Sequence, residues 1–75
     1  MKKAIQIRAT DPKCSNLVII SRHYRDDPNE PRYETYYAKI SLPGKKNPKL
    51  EKVGSSKEGL GIAIMRKRAN TVIER

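Results

Sequence analysis

Apolar and polar positions alternate with a period of two through most of the chain and shift to a helical period towards its end. Lys3-Ala4-Ile5-Gln6-Ile7-Arg8 alternates cleanly and predicts a short strand over residues 3–8. Residues 11–16 collect turn formers, Asp11-Pro12-Lys13-Cys14-Ser15-Asn16, and predict the closing of a hairpin. Leu17-Val18-Ile19-Ile20-Ser21 is the most β-prone run and continues into Arg22-His23-Tyr24, which predicts a second strand over 17–24. Residues 26–31 are polar and hold two prolines, which cannot donate to a ladder, so they form a loop. A third strand is predicted over 33–41, where aromatic and β-branched residues are dense. Pro43-Gly44 stops it, Lys45-Lys46-Asn47-Pro48 makes a cationic turn, and a short fourth strand follows over 49–53, ended by Gly54.

Ser55-Ser56-Lys57-Glu58 has the spacing of a capping box and marks the start of a helix. Beyond it Ile62, Met65, Ala69, Val72 and Ile73 fall on one helical face, while Lys67, Arg68 and Arg75 fall away from it. Gly59 and Gly61 weaken the first turns by about 1 kcal/mol each. They imply either a close crossing of the helix backbone over the sheet or a frayed start. The fold class is therefore α+β: a small antiparallel β-sheet of three to four strands packed on one C-terminal α-helix, with residues 1–75 as a single domain.

One helix covers one face of a sheet, so alternation decides what the other face presents. On the third strand Tyr36, Ala38 and Ile40 share a side, and Ala38 and Ile40 suit the space beneath the helix. Tyr37, Lys39 and Ser41, with Thr35, share the other. On the fourth strand Val53 points inward beside Glu51, and Lys52 outward beside Leu50. On the second strand both alternating sets begin apolar: Leu17, Ile19, Ser21 and His23 form one, Val18, Ile20, Arg22 and Tyr24 the other. The pattern leaves them nearly balanced, and the polar ends Arg22 and Tyr24 favour the second set outward. The uncovered face then carries Arg22, Tyr24, Tyr37, Lys39, Ser41 and Lys52, with Lys45 and Lys46 at its rim.

Charge gives that face a chemistry. The 75 residues hold 17 Lys and Arg against 8 Asp and Glu, a net +9, and the excess is uneven. Residues 1–31 hold six basic and four acidic groups, net +2, and residues 32–75 hold eleven and four, net +7. A one-signed field on so small a body attracts polyanions. Lys and Arg neutralise phosphates and release counterions, Arg reaches guanine edges, and Tyr and Ser hydroxyls contact phosphates. Taken singly, each of these residues is explained as well by solvation of an open sheet face; their clustering is what points to nucleic acid.

Other chemistry is thin. Cys14, the one cysteine, sits in the expected turn and reads as an incidental or structural thiol of a reducing compartment. With His23 the only imidazole, no Cys/His metal site assembles and no cofactor is implied. No spacing links Ser, His and acid into a catalytic arrangement, so an enzyme is not expected. No apolar run approaches the roughly 18 residues of a membrane span, and Gln6 and Arg8 interrupt what begins like a signal peptide. A cytoplasmic protein is expected.

From about residue 20 to 73 the chain resembles the AP2-type DNA-binding domain and, equally, the arm-type domains of tyrosine integrases. The likeness rests on Tyr37-Ala38-Lys39-Ile40-Ser41-Leu42-Pro43-Gly44, a basic turn, Lys52-Val53-Gly54, and the serine-capped helix with small residues. It implies three antiparallel strands, a packing helix and a sheet that enters the major groove. Lys39, Ser41 and Lys52 match its groove-facing positions, and Arg22 a first-strand arginine. The tryptophans of those families are missing, the loop after the second strand is longer and acidic, and residues 3–8 lie outside the likeness.

The expected function is that of a nucleic-acid-binding module, from a phage or mobile element, with double-stranded DNA as partner. RNA, stacked on Tyr24 and Tyr37, and an acidic protein partner are the alternatives. The sequence specifies no oligomeric state.

Overall fold

A computed structural model describes residues 4–24 and 33–74, and the side chains of all of these except Ala4, His23 and Tyr24. It shows a four-stranded antiparallel sheet, order β1-β2-β3-β4, with one C-terminal helix, which is the expected α+β class. The strands are β1 (Ala4–Asp11), β2 (Cys14–Tyr24), β3 (Tyr33–Ile40) and β4 (Lys49–Ser55), and the helix is α1 (Ile62–Glu74). No helix among the described residues is long and apolar enough to cross a membrane. The expected loop over 26–31 lies outside the described residues.

The first hairpin is tighter than the sequence implies. Only Pro12 and Lys13 separate the strands, and Cys14, Ser15 and Asn16 belong to β2 instead of a turn. Two contacts with α1 explain the difference. Asp11 is buried and accepts from the Lys13 amide (2.8 Å) and from Nε and Nη2 of Arg66 (3.1 and 3.2 Å). Asn70 Oδ1 accepts from Asn16 Nδ2 at 2.9 Å and, weakly, from the buried Cys14 thiol at 3.7 Å. Residues with turn propensity are held extended because their polar groups find partners on a distant helix.

The connection from β3 to β4 follows its turn chemistry. Lys45 N–H donates to Leu42 O at 3.2 Å, and Gly44 takes φ 76°, the geometry of a turn with Pro at its second position and Gly at its third. Because that turn begins at Leu42, β3 ends at Ile40, and Ser41 is exposed in the connection and not in the strand.

The core lies between the sheet and α1. Leu17, Ala38, Met65 and Ala69 are fully enclosed, Cys14 and Tyr36 nearly so, and Ile19, Val53, Ile62 and Val72 pack around them. The helix crosses β3, flanked by β2 and β4. Ile73, expected on the buried stripe, is 37% exposed, because Val72 occupies the packed side of that turn.

The start of the helix is also displaced. Glu58 does reach back to the Ser55 amide (3.2 Å), but the turn so closed is a separate 3₁₀ turn, Ser56–Glu58. Gly59 leaves it with φ 72°, a left-handed geometry that ends a helix. Neither Gly59 nor Gly61 approaches the sheet; a Cβ on either would meet nothing within 4 Å. The close approach is at Gly54, where a Cβ would lie 2.6 Å from Met65 Sδ. A bulge creates it. Tyr36 pairs with Gly54 but Tyr37 with Lys52, so Val53 is an extra residue and both Val53 and Gly54 serve the helix side.

Candidate nucleic-acid interface

Register settles the two faces. Leu17 pairs with Ala38 and Ala38 with Glu51, on the side of the helix. The opposite side carries Val18, Tyr37 and Lys52 across one row. Thr10 joins that row from β1. The next rows hold Arg8, Ile20, Thr35 and Ser55, then Gln6, Arg22 and Tyr33. Beyond Tyr37 come Lys39 and Leu50. The near-balanced choice on the second strand thus falls with Leu17 and Ile19 inward and Arg22 outward.

Apart from the 3₁₀ turn, whose Lys57 lies over Tyr33 at one end, no element of the described chain packs on this second side. Lys39 and Lys52 are exposed, and Tyr37 and Arg22 are half-buried. Lys45 and Lys46 are exposed in the turn at the end of the sheet, with Ser41 beside them. Tyr24 continues β2 beyond Arg22, and its side chain lies outside the described ones. The open face is not wholly polar at its centre. Val18 is 2% exposed and Thr35 7%, each shielded between cross-strand neighbours: Thr10 and Tyr37 for Val18, Ile20 and Ser55 for Thr35.

The described carboxylates gather on one side. Asp11, Glu34, Glu51, Glu58 and Glu74 all sit on the helix side of the sheet, on the 3₁₀ turn beside it or on α1. Arg66 is paired with Asp11, and Arg68 with Glu58 at 3.1 Å. Arg68 Nη1 also donates to Val53 O at 2.8 Å, tying α1 to β4. Arg66 and Arg68 are therefore compensated, Lys67 and Lys49 on the same side are exposed, and the described open face carries cations and no carboxylate. Among the described residues, the two groups with shifted pKa values belong to the helix side. The Arg66 guanidinium holds the Asp11 carboxyl below its ordinary value of 3.8. Burial, then the hydrogen bond to Glu34 (3.1 Å), raises the Tyr36 phenol above 10.0.

Two cations on or beside this face, Arg8 and Lys57, are not among the residues expected from the sequence. Arg8 is exposed on β1, one row from Arg22. Its alternation with Ile5 and Ile7 was the available signal, but β1 lies outside the family likeness that organised the face. Lys57 holds its ammonium 4.2 Å from the centroid of the Tyr33 ring, and Tyr33 pairs with Arg22. Nothing in the sequence spacing brings residue 57 to residue 33. Arg22 itself has an anomaly: its Nε is enclosed and makes no hydrogen bond. Such an unsatisfied donor costs on the order of 1–3 kcal/mol, and in native proteins it calls for an explanation.

Comparison with models of known protein families, with curated proteins and with solved structures finds no match to this chain.

Proposed function

We propose that the protein is a binding module for double-stranded DNA and that it binds through the open face of its sheet. The observation that supports this best is the distribution of acids: among the described residues the carboxylates lie on the helix side or the turn beside it, and the open face holds Arg and Lys with no carboxylate among them. Polyanion binding is driven largely by phosphate neutralisation and counterion release, which require cations not already satisfied by carboxylates. Lys39, Lys52, Lys45 and Lys46 meet phosphates, and Ser41 and the phenol of Tyr37 add hydrogen bonds to them. Arg22 contributes from β2. In the AP2-type and integrase-arm likeness Lys39, Ser41 and Lys52 are the positions that face the groove.

Titration of a labelled duplex at several salt concentrations tests the proposal. Affinity falls steeply with salt, and Lys39→Ala and Lys52→Ala each flatten the log–log slope by about 1. Salt-independent binding, or slopes unchanged in both variants, would refute it. Single-stranded RNA displacing the duplex efficiently would instead favour base stacking on Tyr37.

A further inference from the structure

The two outer strands of the sheet are unlike. β4 is guarded: it holds Lys49, Glu51 and Lys52, Pro48 precedes it, and the bulge at Val53 breaks its ladder. β1 has none of these devices from Ala4 to Thr10. It contains no proline or lysine there, its pairing with β2 runs in unbroken register, and Arg8 is its only charge. Among the described residues no strand pairs with its outer side, so every second residue turns its N–H and C=O outward. The helix side of β1 is apolar and largely bare. Ala9 pairs with Ile19 on that side, and Ile7 and Ile5 continue along it. The helix crosses β3 between β2 and β4 and meets β1 at Asp11. Ile7 is 54% exposed, the most exposed of the large described apolar side chains.

We infer that the protein is a homodimer in which β1 pairs antiparallel with β1 of a second copy, centred on Ile7, so that two four-stranded sheets become one of eight strands. The strand is complementary to itself in that register. A two-fold axis perpendicular to the sheet sets Ile7 opposite the second copy's Ile7, and opposite residues share a face. Ile5 then meets Ala9 of the second copy, Gln6 meets its Arg8, and Ala4 meets its Thr10. The helix side matches apolar to apolar. The open side sets each Arg8 against an amide side chain and not against a like charge. Neighbouring registers are poorer. Centring on Arg8 puts the two guanidinium groups opposite each other and Ile5 against Asp11, and centring on Gln6 shortens the described ladder to residues 4–8.

Open backbone groups accept any extended strand, and the side-chain match is what selects a second copy. Mutual pairing also covers both bare edges at once and closes the assembly, leaving the guarded β4 at each outer end. One strand pair buries little area, so the dimer is weak and depends on concentration. Both helices lie on one side of the joined sheet and both open faces on the other. The bare edge and its register carry this pairing, whatever the open face binds.

Sedimentation equilibrium of the full chain, without nucleic acid, from low micromolar to near-millimolar concentration tests it. The parent passes from monomer to dimer and no further. Ile7→Lys sets two ammonium groups face to face on the axis and leaves the chain monomeric throughout, with a thermal melt verifying that it is folded. Leu42→Lys adds the same charge in the exposed β3–β4 connection and stays dimeric. Gln6→Glu places a carboxylate opposite the second copy's Arg8 and tightens the dimer a few-fold. In the parent, alternate backbone amides of residues 4–10 gain protection from hydrogen exchange as concentration rises. A parent that is monomeric at every concentration overturns the pairing, as does a dimer that survives Ile7→Lys, one lost equally in Leu42→Lys, or growth into longer species. Weakening by Gln6→Glu overturns the register. No duplex enters these measurements, so their failure leaves the DNA-binding proposal standing, and failure of that proposal leaves the dimer standing.

Discussion

Asp11 concentrates more of the fold's polar bonding than any other single described side chain. It closes the first hairpin through the Lys13 amide and docks α1 through two bonds from Arg66. Its pKa is depressed in the folded state, so its contribution is complete above the unfolded value near 3.8 and is lost as the pH falls through the lower folded one. Asp11→Asn should lower the melting temperature at pH 7 and flatten the loss of stability in acid, read by circular dichroism between pH 7 and 2. Tyr36 acts at the other limit. Its raised pKa favours the neutral phenol in the fold, so that stability holds below pH 10 and declines above it. Tyr36→Phe should remove that alkaline decline. Gly54 sets a steric limit. A methyl there would fall 2.6 and 2.7 Å from Met65 Sδ and Cε and 3.2 Å from Arg68 Nη1. Gly54→Ala should destabilise by about 1–3 kcal/mol in urea titration, with Met65→Ala in the same chain recovering part of it. The alternation that separates Tyr36 and Ala38 from Tyr37 and Lys39 was legible in the sequence, because an eight-residue strand with one covered side must alternate. The closeness of Gly54 was not, because it depends on a bulge between strands that pair only in three dimensions.

At the scale of elements, local signals gave existence and type better than limits. The capping residues Ser55 and Glu58 are real, but they close a 3₁₀ turn, and the left-handed Gly59 separates that turn from α1. A helix signal and a stop signal four residues apart are compatible only if a short turn intervenes, and the spacing alone reads as one longer helix. The hairpin over 11–16 misled for the opposite reason: its polar residues gain partners on α1, and those partners outweigh turn propensity. The tie between α1 and β4 through Arg68 should be separable from DNA binding. Arg68→Met removes a 2.8 Å bond to the Val53 carbonyl and the pairing with Glu58, on the side away from the open face. The expected outcome is a stability loss on the order of 1 kcal/mol with duplex affinity changed only through net charge.

For the whole molecule, the net charge of +9 told which class of partner to consider and not where it binds. Position comes from pairing: register places Arg8 beside Arg22, and tertiary packing brings Lys57 over Tyr33, neither of which one-dimensional spacing encodes. Lys39 and Lys52 were legible because their two strands alternate; the contact of Lys57 with Tyr33 was not, because it joins the 3₁₀ turn to β3. The strand order has a further consequence. Each strand pairs with its neighbour in sequence, so the sheet can form from local hairpins, but Leu17, Tyr36 and Ala38 keep their apolar side bare until Ile62–Glu74 docks. Any stage at which the strands have paired but α1 has not docked is therefore an uncapped sheet whose cation-bearing side is complete before its underside is sealed. A chain truncated before Ile62 should bind an apolar dye or a chaperone, and the full chain should not.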